Sequence, residues 1–222
     1  YAYYVKHMER LGFKKEADWV EYSLTVPEKM PEKIAKISEI VAKRYKLRIL
    51  SNMKAKQLIP YAKELFYLLN EAYDNLFGFV PLTEKQIALY TKQYIGYIKK
   101  GFLPLILSED GKMVAFAVSM PSLSKALQKC NGRLLPFGAL YLLRAMAKND
   151  LVDLYLIAVR PDYQGKGLNA IIMNELHKIF SKHNIKLAES NIELEGNIKV
   201  RSQWEYFERR QHKRRRCFIK PL

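Results

Sequence analysis

The sequence predicts a mixed α/β (α+β) fold in which helices flank a central, mostly antiparallel sheet. Three stretches predict it. Residues 154–159 form an apolar run of buried-strand type that feeds the loop Gln164-Gly165-Lys166-Gly167. Leu168, Ile171, Ile172, Leu176 and Ile179 then recur at helical spacing, so a helix starts where the loop ends. Two strand-like runs, 102–107 and 113–119, bracket Glu109-Asp110-Gly111-Lys112, a hairpin signal that makes part of the sheet antiparallel.

The remaining elements follow in order. Residues 1–27 read as a short helix, a Leu11-Gly12-Phe13 turn and an aromatic strand. Pro27 and Pro31 open a charged connector into a helix over 34–44, and 45–50 form the next strand. Leu58, Ala62, Leu65, Leu69 and Tyr73 place an amphipathic helix over 56–75. Thr83 caps a helix over 83–100, with Gln86 three residues on completing a capping box. Helices are expected over 122–129 and 137–148, a strand over 186–191, a helix over 197–209 and a closing strand over 216–220.

A strand, a glycine loop and a helix start make an anion site, because the first helical amides lack backbone partners and lie at the positive end of the dipole. Gly165 and Gly167 permit unusual backbone angles and keep side chains off a ligand. The loop is neither a Walker A sequence nor G-x-G-x-x-G, since position 170 is alanine. A plain glycine turn joining strand to helix is the alternative.

The run from Val159 through Pro161, Tyr163, Gln164, Gly165, Lys166 and Gly167 resembles the acyl-coenzyme A signature of the GNAT acyltransferase superfamily, Gln/Arg-x-x-Gly-x-Gly/Ala. Gln164, Gly167 and Asn169 fill its positions, with Asn169 where a small residue is usual. The order of elements over about 46–222 is similar as well. The resemblance implies a splayed central strand pair and an acyl-CoA co-substrate, acetyl-CoA or another, with no metal. Ile157, Ala158 and Val159 would face the pantetheine arm. The amides of Gln164, Gly165, Lys166, Gly167, Leu168 and Asn169 would hold the pyrophosphate, with Lys166 adding charge, and Asn197 would join the cofactor-binding set. The acceptor would be a small-molecule or peptide amine, with Asp74, Phe77 and Phe79 on its side of the cleft.

Transfer to an amine needs a base. Glu189, on the strand after the glycine-loop helix, and Asp153, at the start of the central strand, are the candidates; each could equally be a structural partner for an arginine. The family's thiolate acid is a tyrosine seven residues after an asparagine. Counting from Asn197 reaches Trp204, and Tyr206, the tyrosine at hand, lies about 200° further round a helix and should face away.

An x-Gly-Phe turn usually follows the last helix of this family, and the segment from Glu9 to Lys14 is echoed by that from Glu208 to Lys213. Residues 1–45 are therefore expected to be the tail end of a preceding GNAT-like module plus connector in a tandem protein. Residues 46–222 are then the acyltransferase domain, with a helical insertion at about 121–150. Four uses are open to that insertion: packing on the core, a lid over the acceptor site, a surface for a homodimer, or a membrane-surface helix. Lid or core is favoured over membrane, because the apolar part is short and includes Pro136 and Gly138.

Composition bounds the rest. An apolar fraction of 49% suffices for a core, and no uncharged apolar stretch is long enough for a transmembrane helix. Cys130 and Cys217 are far apart, which points to a reducing, cytoplasmic compartment. No metal-ligand spacing and no Ser-His-Asp order appear. The net charge is +16, with nine Lys or Arg against two Glu over 199–222. Function is thus expected to be acyl-CoA-dependent N-acyl transfer. The alternatives are a non-catalytic GNAT-like module that binds coenzyme A or a partner, and a nucleic-acid binder, which rests on charge alone.

Overall fold

The computed structural model describes residues 3–221. Helix α1 (Tyr3–Arg10) leads through Gly12, whose φ is +83°, into β1 (Lys14–Thr25), and α2 (Glu32–Arg44) follows. Then come β2 (Arg48–Leu50), α3 (Ala55–Leu58), α4 (Ala62–Tyr73) and α5 (Glu84–Tyr94). The hairpin β3 (Leu105–Leu107) and β4 (Met113–Pro121) precedes the insertion helices α6 (Ser124–Lys129) and α7 (Gly138–Ala147). The central strand β5 (Leu151–Val159), α8 (Leu168–Lys182), β6 (Leu187–Ser190), β7 (Glu193–Leu194), α9 (Ile198–Arg201) and β8 (Arg209–Ile219) complete the chain.

One sheet runs in the order β2-β3-β4-β5-β6-β1, with β7 continuing beyond β6 along one edge of β1 and β8 pairing with the other. Every pairing is antiparallel except β5 with β6. This is the expected mixed, mostly antiparallel sheet. On one face α2 and α8 cover Val20, Tyr22, Val152, Ile171 and Ile172; on the other α4 and α5 cover Leu105, Leu107, Phe116 and Ala158. Burial of such side chains is the main drive to fold, at about 25 cal/mol per Å² of apolar surface.

Local chemistry sets the element ends. Thr83 and Gln86 form the expected capping box, with Thr83 N–H donating to Gln86 Oε1 at 2.9 Å. The β3–β4 turn closes through Ser108 N–H to Lys112 O at 2.8 Å, with Gly111 at φ +81°. Two expectations at the C-terminal end need correction. The helix foreseen over 197–209 stops at Arg201 and becomes a 3-10 turn, Ser202–Tyr206, that drops Trp204 into the core. The closing strand is longer than 216–220 and begins at Arg209. Its length escapes a hydrophobic reading because charge partners on β1 stabilise it, not apolar alternation. β1 and α2 share the sheet and core of the residues after 45.

Those charge partners are buried. Asp18 has a fully buried side chain and accepts from Arg216 Nε at 2.7 Å, Arg216 Nη2 at 3.0 Å and Arg214 Nη1 at 3.0 Å. Glu21, 6% exposed in its side chain, pairs with Arg215 and with Lys213. A buried carboxylate without a partner would be prohibitive, so β1 requires the basic run of β8 beside it. Lys213, Arg214, Arg215 and Arg216, the run behind the nucleic-acid reading, are thus each paired with a carboxylate, though the first three stay about half exposed.

The Arg216 guanidinium holds the Asp18 carboxyl down at about 2, against an ordinary 3.8. Its contribution to stability is present above pH 4 and is lost as pH falls toward 2. Asp18→Asn should cost about 3–5 kcal/mol in denaturant unfolding at neutral pH. Asp162→Asn, which breaks an exposed pair with Arg160, should cost less than about 1 kcal/mol.

Candidate active site

The site begins where two strands part. β6 pairs with β5 only from Leu151↔Leu187 to Leu154↔Ser190, whereas β4 follows β5 as far as Val159. Beyond Leu154 one edge of β5 has no neighbouring strand. Asn191 sits at the fork: its backbone N–H donates to Leu154 O and its side-chain amide to Tyr155 O, both at 3.0 Å. Two side chains reach the open edge. The Tyr73 hydroxyl, from α4, donates to Ile157 O at 3.0 Å, and Gln164 Nε2 donates to Val159 O at 3.2 Å. Ala158 is buried and pairs with Phe116 on β4.

The glycine loop closes the upper end of this fork. Pro161–Tyr163 make a 3-10 turn, pinned by Arg160 on Asp162 at 2.7 and 2.9 Å. The amides of Gln164 and Lys166 are taken within the turn, by Pro161 O and Tyr163 O. Those of Gly165, Gly167, Leu168 and Asn169 are the members of the expected set not used there. Gly167 starts α8 in the left-handed region, φ +86°, and a Cβ there would lie 3.0 Å from Val41 Cγ2. At Gly165, φ +74°, nothing stands within 4 Å, so the space above the loop is open. The Leu168 side chain is in the core, and Lys166 Nζ stands 4.9 Å from the Tyr163 ring centre and 5.4 Å from that of Tyr45. An exposed loop with free amides, at the start of a 15-residue helix, fits an anionic group such as the pyrophosphate of coenzyme A.

Asp153 and Glu189 are direct neighbours across the parallel pair. They line a cavity of about 150 Å³ together with Glu21, Ser124, Tyr155 and Asn191. Burial raises the Asp153 carboxyl above its ordinary value and the Glu189 charge adds to that, while a Ser122 hydrogen bond and Lys213 oppose it. Glu189 is ion-paired with Lys213, whose ammonium also lies 3.2 Å from Glu21. Possible ligand atoms of Glu21, Glu189 and His212 fall within 4.8 Å of one another. Lys213 already supplies the positive charge that a cation would bring there.

The carboxylate best suited to proton transfer is one the sequence did not single out. Glu193, on β7, accepts from Trp204 Nε1 at 2.7 Å through Oε1, while Oε2 is buried with no hydrogen-bond partner. Burial pushes its carboxyl up to about 7, against the Trp204 hydrogen bond, the nearby Ser190 hydroxyl and the charges of Arg201 and Arg209. Burial also raises the Tyr73 phenol, and the Glu193 charge contributes. Glu193 is thus felt at the open edge of β5. A two-residue strand has no periodicity, so nothing in the sequence separated Glu193 from Glu189 and Glu195.

The other expected residues are dispersed. Trp204, at the family tyrosine's place, is buried against Glu193. Tyr206 is half exposed, with Lys33 Nζ 5.1 Å from its ring centre, which agrees with a side chain turned away. Asn197 Oδ1 caps α9 by accepting from Val200 N–H at 3.4 Å. Phe79 packs on Tyr73 with ring centres 5.6 Å apart, Phe77 lies 5.8 Å from Trp19, and Asp74 ends α4.

Comparison with known proteins agrees with this geometry. Residues 61–201 match the Acetyltransferase (GNAT) family. A bacterial ceramide synthase from Caulobacter vibrioides is 30% identical over 139 residues, covering 59% of this chain and 33% of its own. The GCN5-related glucosamine N-acetyltransferase region of a fungal multi-domain GH3 β-N-acetylglucosaminidase superposes with a TM-score of 0.58 at 10% identity, over 98% of this chain and 22% of that one. A GCN5-related N-acetyltransferase from Sphaerobacter thermophilus gives 0.54 at 12% identity, over 97% and 56%. The chain therefore spans a third of the curated relative and less than two thirds of either solved chain. The family match takes in α4, the fork between β5 and β6 and the whole glycine loop, and the chain belongs to the Acetyltransferase (GNAT) family.

Proposed function

We propose that this chain transfers an acyl group from an acyl-coenzyme A to an amine, with Glu193 as the general base. The observation that carries the reading is a buried carboxylate with one unpartnered oxygen and a pKa near neutrality, acting on the open edge of the central strand. A base poised near the working pH combines a useful ionised fraction with useful proton affinity.

Acyl-coenzyme A supplies the thioester carbon that the amine attacks and the thiolate that leaves. The free amides of Gly165, Gly167, Leu168 and Asn169, with Lys166, hold its pyrophosphate, and the β5 edge at Ile157 and Val159 faces its pantetheine arm. Glu193 Oε2 removes the proton from the amine nitrogen. A cationic amine first loses one proton to water and Glu193 takes the second as the nitrogen attacks. Tyr73 gives its hydroxyl proton to the sulfur and recovers that second proton from Glu193, so coenzyme A leaves as the thiol and one proton goes to solvent. Asp153 and Glu189 line the acceptor side, where two carboxylates favour a cationic amine on arrival. A ceramide is an N-acylated long-chain amino alcohol, so the name of the Caulobacter relative supports a long-chain amine as acceptor here.

Glu193→Gln should lower kcat about 10²–10⁴-fold while coenzyme A binding persists. The wild-type rate should rise with pH through about 7, as Glu193 loses its proton, and that limb should vanish in the variant. Stability gives a second readout. A raised carboxyl pKa favours the folded state below pH 4.5, and this contribution is lost as pH rises to about 7. The amide variant should therefore be more stable than wild type at pH 8.

On the donor side, Gly165→Asp puts a carboxylate above the loop amides in open space, and should weaken coenzyme A binding by more than about tenfold in calorimetry. Binding without turnover across a panel of amines would favour the non-catalytic module instead.

A further inference from the structure

The insertion between β4 and β5 carries an exposed apolar surface that the acyl-transfer reading leaves unexplained. Leu135 is 82% exposed, Leu143 66%, Phe137 65%, Leu140 61% and Leu134 54%. They fall within the ten residues 134–143. Phe137, Leu140 and Leu143 recur every three residues along α7, and Leu134 and Leu135 lie just before it. The opposite side of α7 faces the body of the protein, where Lys99 Nζ donates to Met146 O at 2.9 Å. Apolar side chains grouped this way cost solubility unless something covers them.

Charge says what covers them. From residue 122 to residue 149 the chain has Lys125, Lys129, Arg133, Arg144 and Lys148 and not one Asp or Glu. On β8 the basic run is paired: Lys213, Arg214, Arg215 and Arg216 each have a carboxylate partner. Here Arg133 and Arg144 flank the leucines, and of the five only Lys125 has a carboxylate partner among the described residues, Asp150 at 3.4 Å. A second copy of the chain would set this basic patch against its equal, which opposes self-association through it. An anionic lipid surface meets both needs, taking the apolar side chains below its headgroups and the cations among its phosphates.

We propose that the segment 133–148 docks the protein on an anionic bilayer, with Leu135, Phe137, Leu140 and Leu143 inserted at the interface and Arg133 and Arg144 in the headgroup layer. No helix among the described residues is long and apolar enough to cross a membrane, so the contact is interfacial. The insertion is rooted beside the Asp153–Glu189 cavity, where Ser124 lines the wall and Ser122 N–H donates to Leu151 O at 3.0 Å. Docking there brings that cavity close to the lipid surface. The proposal does not depend on acyl transfer, and its test contains no acyl donor.

The full chain should co-sediment with phosphatidylcholine vesicles containing about one third phosphatidylglycerol, and only weakly with phosphatidylcholine alone. The exposed pair Leu140→Asp and Leu143→Asp should reduce partitioning by more than about tenfold without lowering the thermal midpoint. Arg133→Ala and Arg144→Ala should each reduce it about fivefold and weaken its dependence on the anionic lipid. Three results would overturn the proposal. One is no binding to the anionic vesicles; another is binding that survives the double aspartate variant. The third is a concentration-dependent dimer in sedimentation equilibrium that the aspartates dissolve, which would assign the surface to a second copy.

Discussion

A parallel strand pair that stops after four residues sets the terms for the rest of this molecule. Had β6 stayed with β5 beyond Leu154 and Ser190, backbone hydrogen bonds would have filled the strand edge at Ile157 and Val159. The fork leaves that edge to side chains and ligands, and a buried backbone group must find a partner somewhere. Asn191 supplies the partners at the fork, Tyr73 and Gln164 supply them further along, and the strand that departs carries Glu193 away with it. The same divergence opens the approach to the glycine loop. The free strand edge, the approach to the glycine loop and the Asp153–Glu189 cavity are thus consequences of one interrupted ladder.

Much of this was legible in the sequence, for identifiable reasons. The glycine loop and α8 declare themselves because an anion site needs glycine freedom and a helix start at fixed offsets, and both are local. The Thr83–Gln86 cap and the β3–β4 turn are local too. Glu193 and Tyr73 were not legible. Their places depend on the end of β6 at Ser190 and on a helix 84 residues from the strand it touches, relations that no spacing records. β8 was foreseen at half its length because its partners are carboxylates on β1, and charge complementarity between distant strands has no period to read. Asp153 and Glu189 were found for their position and do share a cavity, but Glu189 is held by Lys213.

Two clusters of positive charge differ in kind once the fold is known. On β8 it is structural, matched to Asp18, Glu21, Glu189 and Glu195. On the insertion it stands beside exposed leucines and lacks acidic neighbours in the chain. A net charge summed over the sequence averages these two populations and describes neither.

The pairing of β1 with β8 has a further implication for how the chain is made. Asp18 and Arg216 are 198 residues apart, so a ribosome delivers the acid long before its base. During that interval two carboxylates on β1 keep the strand in water and penalise its premature burial or its pairing with another chain. The sheet can grow from the β3–β4 hairpin through β5 and β6, whose contacts span less sequence. β1 is then drawn in by the arginines of β8, a latch whose key is synthesised after the strands it joins.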